Sequence, residues 1–118
     1  MGEHRSAHAV FQHAIERRNL LSAEAAAREL GRLSLADALD FLLLLSEKDP
    51  ARFDPAAARW HARFVLEGKR LRLADSQLLL GAVAGLARPA PVIALDTIRA
   101  LAEQVHATAV AAVVRRRL

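Results

Sequence analysis

Five histidines, thirteen acidic side chains and no cysteine set the chemistry open to this 118-residue chain. Without thiolates, disulfides, thiol catalysis and Cys-based zinc sites are excluded. His4 and His8 stand four residues apart and share a face if their segment is helical. His13 and Glu16 are three apart, as are Glu103 and His106. The latter pair forms Glu-x-x-His, which di-iron bundles use twice together with two further glutamates. Here it occurs once, and a metal site needs three or four converging ligands. No metal and no other cofactor is expected. His61, between Trp60 and Ala62, reads as a boundary residue rather than a ligand.

Nucleophilic catalysis has no pattern to rest on. There is no Gly-x-Ser-x-Gly, and the five glycines are dispersed, so no phosphate-cradling loop is present. Asp37 and Asp40 are three apart on one helix; the expectation is a solvated acidic strip, not an acid/base pair. No catalytic residue is assigned, and a non-enzymatic protein is expected.

The cations are unevenly placed within a net charge of +4. Residues 1–68 hold nine Lys/Arg against ten Asp/Glu, and residues 69–118 hold eight against three. Arg59 and Arg63 are four apart beside Trp60, with Arg52 before them and Lys69, Arg70 and Arg72 after. Arg59, Arg63, Lys69, Arg70 and Arg72 form a candidate basic patch for nucleic acid or an acidic partner. The simpler account is a solvated face, with Arg63 near Glu67. Residues 115–118, Arg-Arg-Arg-Leu, form a basic tail whose cations complement a helix C-terminus.

These residues need elements to position them. Apolar residues make up 53% of the chain and aromatics only 4%, so a core must be built from Leu, Ala and Val. Ala and Leu are strong helix formers, and no segment alternates with period two, so no strands are expected. One domain over 1–118 is expected, with residues 1–4 outside regular structure. Helix starts are read at Arg5, at Ser22, at Ser34 with Asp37 as an imperfect capping box, and at Asp54-Pro55. Gly31 and Gly68 mark helix ends. A fifth helix covers about 74–87, and a sixth runs from Pro91 almost to the C-terminus. The expected fold is all-α: a compact bundle or irregular stack of about six helices, arranged as three antiparallel hairpins.

The stretch "ARELGRLSLADALDFLLLL" (27–45) has the outline of a DNA-reading helix-turn-helix. Its second helix would offer Asp37, Asp40 and Glu47 to phosphates, which repel them. The rest of that helix is apolar on nearly every side, as is the helix containing Leu78, Leu79 and Leu80; both belong in the interior. Phe11, Ile15, Trp60, Phe64, Ile98 and Leu101 are expected to pack around them.

"EAAARELGRLSLADALDFLLLLSEKDPARF", followed by "AARWHARFVLE", resembles short uncharacterised helical proteins of high-GC bacteria, over most of residues 8–104. The resemblance implies an all-helical bacterial cytoplasmic protein and brings no activity, substrate or site residue with it. The opening residues lack an apolar signal region, and no apolar run approaches the ~20 residues of a membrane span. A cytoplasmic location without membrane association is therefore expected. Ile98, Ala102, Val105, Ala109 and Ala112 fall at heptad-like spacing on the expected sixth helix. They form a candidate seam for a homodimer. The function expected is a helical protein-interaction module that self-associates through this helix. Nucleic-acid or acidic-partner binding through the basic patch is the alternative.

Overall fold

The computed structural model describes residues 6–68 and 71–118; residues 1–5, with the helix start expected at Arg5, and Lys69 and Arg70 lie outside the described residues. The chain is all-α. Among the described residues seven α-helices follow in order: α1 (Ala7–Glu16), α2 (Leu20–Leu30), α3 (Leu35–Lys48), α4 (Phe53–Gly68), α5 (Leu73–Gly85), α6 (Val92–Gln104) and α7 (Thr108–Arg117). A 3-10 turn over Pro50–Arg52 leads into α4. The pairs α1–α2, α3–α4 and α5–α6 pack as hairpins, and α7 returns to lie on α3.

Local chemistry explains most boundaries. The Ser6 hydroxyl accepts from the Ala9 amide and starts α1. Ser34 does the same for Asp37 at α3, as its sequence position predicts. At α2 the cap is Asn19, not Ser22: Asn19 Oδ1 accepts the Ser22 amide proton at 3.1 Å. Asn is as good an N-cap as Ser, and it lies closer to the end of α1. Gly31 ends α2 at φ +81°, where a Cβ would be strained. α4 begins at Phe53, one residue before the expected cap, because the preceding 3-10 turn runs straight into it.

Among the described residues three left-handed positions are not glycine; one is Ala90 (φ +53°), between α5 and α6, and the other two, Arg18 (φ +56°) and His106 (φ +61°), end helices. After α1, the Arg18 amide donates to Ile15 O and the Asn19 amide to Ala14 O. After α6, the His106 amide donates to Glu103 O and the Ala107 amide to Ala102 O. This is the Schellman pattern, with Arg and His where glycine is usual. The single helix expected from Pro91 to the C-terminus is therefore two helices. A left-handed non-glycine residue costs roughly 1–2 kcal/mol. The break lets Val110, Ala111, Val113 and Val114 all reach the core, and burying apolar side chains at ~1.5–3 kcal/mol each outweighs that cost. Arg115 to Arg117 form the last turn of α7, where cations complement the helix C-terminus.

α3 divides the core. Leu35, Leu39, Leu42 and Leu43 join the larger cluster with Phe53, Trp60, Phe64, Leu79, Ile98 and α7. Leu44 joins a smaller cluster with Phe11, Ala14, Ala23 and Ala26, against which Ile15 and Phe41 also pack. Trp60 Nε1 donates to Leu35 O at 2.9 Å and fixes α4 on the first turn of α3. The solvated acidic strip does not exist: Asp37 is 9% and Asp40 3% exposed. Asp37 accepts from Gln12 Nε2 at 2.7 Å and from His8 Nε2 at 3.1 Å. Asp40 accepts from Arg117 Nη2 at 2.9 Å, with Arg116 at 3.7 Å. Each carboxylate draws a neighbouring helix, α1 or α7, over the edge of α3.

α5 departs furthest from expectation. Leu79, Ala82, Val83 and Leu86 are buried, but Leu78 and Leu80 are 54% and 48% exposed. Leu39→Ala and Leu79→Ala are each expected to lower unfolding free energy by about 2–5 kcal/mol. Leu80→Ala is expected to stay within about 0.5 kcal/mol of the parent at low protein concentration. Urea denaturation of the three variants measures this; a comparable loss for Leu80→Ala would place it inside the core instead.

Candidate interaction surfaces

Two surfaces stand out once the fold is assembled, the outer side of the α5–α6 hairpin and a groove between α2 and α4. Between Asp75 and Arg88 no residue carries a charge. The inner half of α5 is spent on the core. Its outer half presents Leu73, Leu78, Leu80, Gly81 and Ala84 to solvent, with Gln77 the one larger polar side chain among them. Beside it on α6 stands Ile93, 84% exposed, and Val92 at its start is 59% exposed. The two helices approach closely at Gly85, where an added Cβ would lie 3.2 Å from that of Ala94. That contact leaves a shallow, mostly apolar trough lined by Leu78, Gly81, Ile93 and Ala94, with Gln77, Thr97 and Arg88 also on it.

The second surface grows out of the expected basic patch. α2 and α4 each pack on α3 and do not pack on each other. The gap is floored by Ala38, Phe41, Leu42 and Leu45, a stripe at helical spacing on α3. Arg52, Ala56, Arg59, Trp60 and Arg63 form one wall; Leu33, Arg32 and Glu24 form the other. Polar bridges span it at both ends. At one, Arg52 donates to both Glu24 oxygens, at 2.6 and 3.1 Å, and to Asp49 at 2.8 Å. At the other, Arg63 Nη1 donates to Leu33 O at 3.0 Å, while its other donors and Arg32 meet Glu67. Arg59 lines the gap, exposed and without a carboxylate partner among the described residues.

Of the five predicted patch residues, then, Arg59 and Arg63 share this groove, and Arg63 is largely neutralised by Glu67. Arg72 lies apart, 3.6 Å from Asp75 at the start of α5, and Lys69 and Arg70 fall outside the described residues. Arg32 was invisible to sequence reasoning, because only the turn at Gly31 brings it opposite α4. The fold divides the five residues of the expected dimer seam. Ile98 and Ala102 are fully buried within the chain, and Val105 packs on the core inside the helix break. Ala109 and Ala112 lie on α7, exposed and half-buried respectively. No common outer face joins the five.

The chemistry-bearing residues are held in structural pairs. His8 serves Asp37, and His61 Nε2 donates to Ser76 O at 2.8 Å, tying α4 to α5. Glu103 is gripped by Arg115 and Arg99, which hold its carboxyl below the usual range. His13 and Glu16 stand 3.9 Å apart on an exposed face. Among the described residues no three His, Asp or Glu side chains converge as a metal site would require, and no helix is long and apolar enough to cross a membrane. No family model matches the chain, and no curated protein or solved structure is similar to it.

The Arg52 bridge has a pH signature. Its hydrogen bonds, opposed by partial burial and helped by Arg28, hold the Glu24 carboxyl below its ordinary value of 4.5. A lowered native value means the stabilisation is complete above the ordinary value and is lost as pH falls through the native one. Arg52→Gln is expected to move the Glu24 midpoint upward and to flatten the acid limb of the stability curve below the ordinary value. Side-chain carboxyl NMR titration reads the first and urea denaturation across the acid range the second. An unmoved Glu24 midpoint would show that the bridge does not form in solution.

Proposed function

We propose that this chain is a non-enzymatic helical interaction module that self-associates through the outer face of α5 and the adjoining start of α6. The observation that carries this is the uncharged half of α5. A helix apolar all round is at home only when covered on every side, and the fold covers one side of this one. Clustered exposed Leu and Ile side chains mark association surfaces more often than isolated ones do. The bridges that occupy His8, His61 and Glu103 support the non-enzymatic part, since each group is already committed to holding two helices together.

A second copy is the partner that this face suits. The protein carries a net +4, so copies repel at long range, yet α5 between Asp75 and Arg88 contributes no charge to the contact, and Arg88 stands at its end. An uncharged face offers no complement to a charged partner and is its own complement across a two-fold axis, where the same patch meets itself. Gly81 lies at its middle, and an added Cβ there meets nothing within 4 Å. A second α5 crossing at that point is able to come close, with Leu80 and Leu78 packing to either side.

Gly81 also provides a clean test, because a substitution there leaves the chain's own packing alone. Sedimentation equilibrium of the parent is expected to give twice the 12.9 kDa chain mass. Gly81→Glu is expected to return the single-chain mass with unchanged helicity, and Leu80→Lys to do the same. A parent that stays monomeric at millimolar concentration, or a dimer that survives both changes, would overturn the proposal.

A further inference from the structure

We infer that the groove between α2 and α4 is a binding site for a small apolar molecule carrying one carboxylate. This site shares no residue with the α5–α6 face and does not depend on self-association. Its shape comes first. Glu24 and Leu33, where the two bridges anchor on the α2 side, are nine residues apart, most of them helical. At 1.5 Å per helical residue the space between the bridges is on the order of 14 Å long. The bridges bound both ends, so the groove is a trough of limited length, open to solvent along its upper side. Its volume of about 430 Å³ is within the range of small-ligand pockets, which pair a mostly apolar lining with a few placed polar groups.

Its chemistry is two-sided. The accessible apolar lining is the half-buried Phe41, Ala38 and Ala56, lying over Leu42 and Leu45, which are 2% and 3% exposed; none of these side chains offers a hydrogen bond, and together they favour an alkyl or aromatic body. The rim is cationic: four arginines line the groove against one glutamate, Glu24. Arg52 is saturated by Glu24 and Asp49, and Arg63 by Glu67 and Leu33 O. Arg59 is not, and Arg32 spends one Nη at 3.4 Å on Glu67 while 77% exposed. Two guanidinium groups with spare donors thus flank an apolar groove. Arginine presents a planar fork that matches a carboxylate with two parallel hydrogen bonds. An apolar amine would meet net repulsion there, because Glu24 and Glu67 are already paired with Arg52, Arg63 and Arg32, and a neutral alkane would leave the rim unused. The ligand's head therefore sits on Arg59, with Arg32 opposite, and its body lies along Phe41 and Ala38.

The chain's single tryptophan, Trp60, lines this groove and reports on it directly. The test titrates full-length protein with octanoate below its micellar range and follows Trp60 emission, with octylamine and acetate as parallel arms. Octanoate is expected to give a saturable change, octylamine and acetate none. Arg59→Glu is expected to weaken octanoate binding about tenfold or more while leaving thermal unfolding unchanged, and Arg32→Ser to weaken it less. Performing the titration on Gly81→Glu as well separates the result from any change in self-association. The proposal is overturned by the absence of a saturable response at millimolar octanoate. An equal response to octylamine, or octanoate binding that Arg59→Glu leaves intact, overturns it equally.

Discussion

The structure depends on one constraint: α3 has to be buried on two opposite sides at once. Fourteen residues long, it carries leucines at 35, 39, 42 and 43 toward one cluster and Leu44 toward another. No single neighbouring helix covers both. The α1–α2 hairpin takes one side, and α4 with α7 takes the other. The two buried aspartates make this arrangement specific. A buried carboxylate without partners is costly, so Asp37 requires His8 and Gln12 from α1, and Asp40 requires Arg116 and Arg117 from α7. Leucine packing sets how much surface is hidden, and the aspartates set which helices hide it.

The same constraint produces both proposed surfaces. Helices α2 and α4 serve α3 from different sides, so they diverge above it, and the gap between them keeps an apolar floor. α5 is one layer further out. It packs on α4 and α6 but has no helix beyond it, so an apolar sequence is left half covered. The molecule is accordingly drawn out, 49 × 28 × 24 Å, with a radius of gyration of 14.2 Å; a compact chain of this length would have about 13.5 Å. It is a stack, in which each hairpin leans on the previous one, rather than a bundle around a shared axis.

Electrostatics in this fold is chiefly connective. Arg18 reaches Glu47 on α3, Arg52 reaches Glu24 on α2, and Arg115 reaches Glu103 on α6. Exposed pairs of this kind are individually worth little. The first two fix the angles at which elements distant in sequence meet, and Arg115 holds α7 against the α6 that precedes it. The arginines outside these pairs, Arg59 foremost, are the ones available to a ligand.

Composition and periodicity alone determined the all-α class, the three hairpins, the caps at Ser34 and Gly31, and the burial of Leu39, Leu42 and Leu79. Those follow from local rules: helix propensity, hydrogen-bonding caps and an apolar stripe that has to be hidden. Three features were decided only by tertiary structure. The first is the break at His106, where burying four α7 side chains outweighs a left-handed residue that no glycine announces. The second is the fate of Asp37 and Asp40, whose spacing suits a solvated strip until α1 and α7 bring partners to them. The third is the outward side of α5. An apolar helix looks the same in sequence whether its far side meets the core, a second chain or water. Which of these it meets depends on how many other helices the chain has left to cover it, and here there were none.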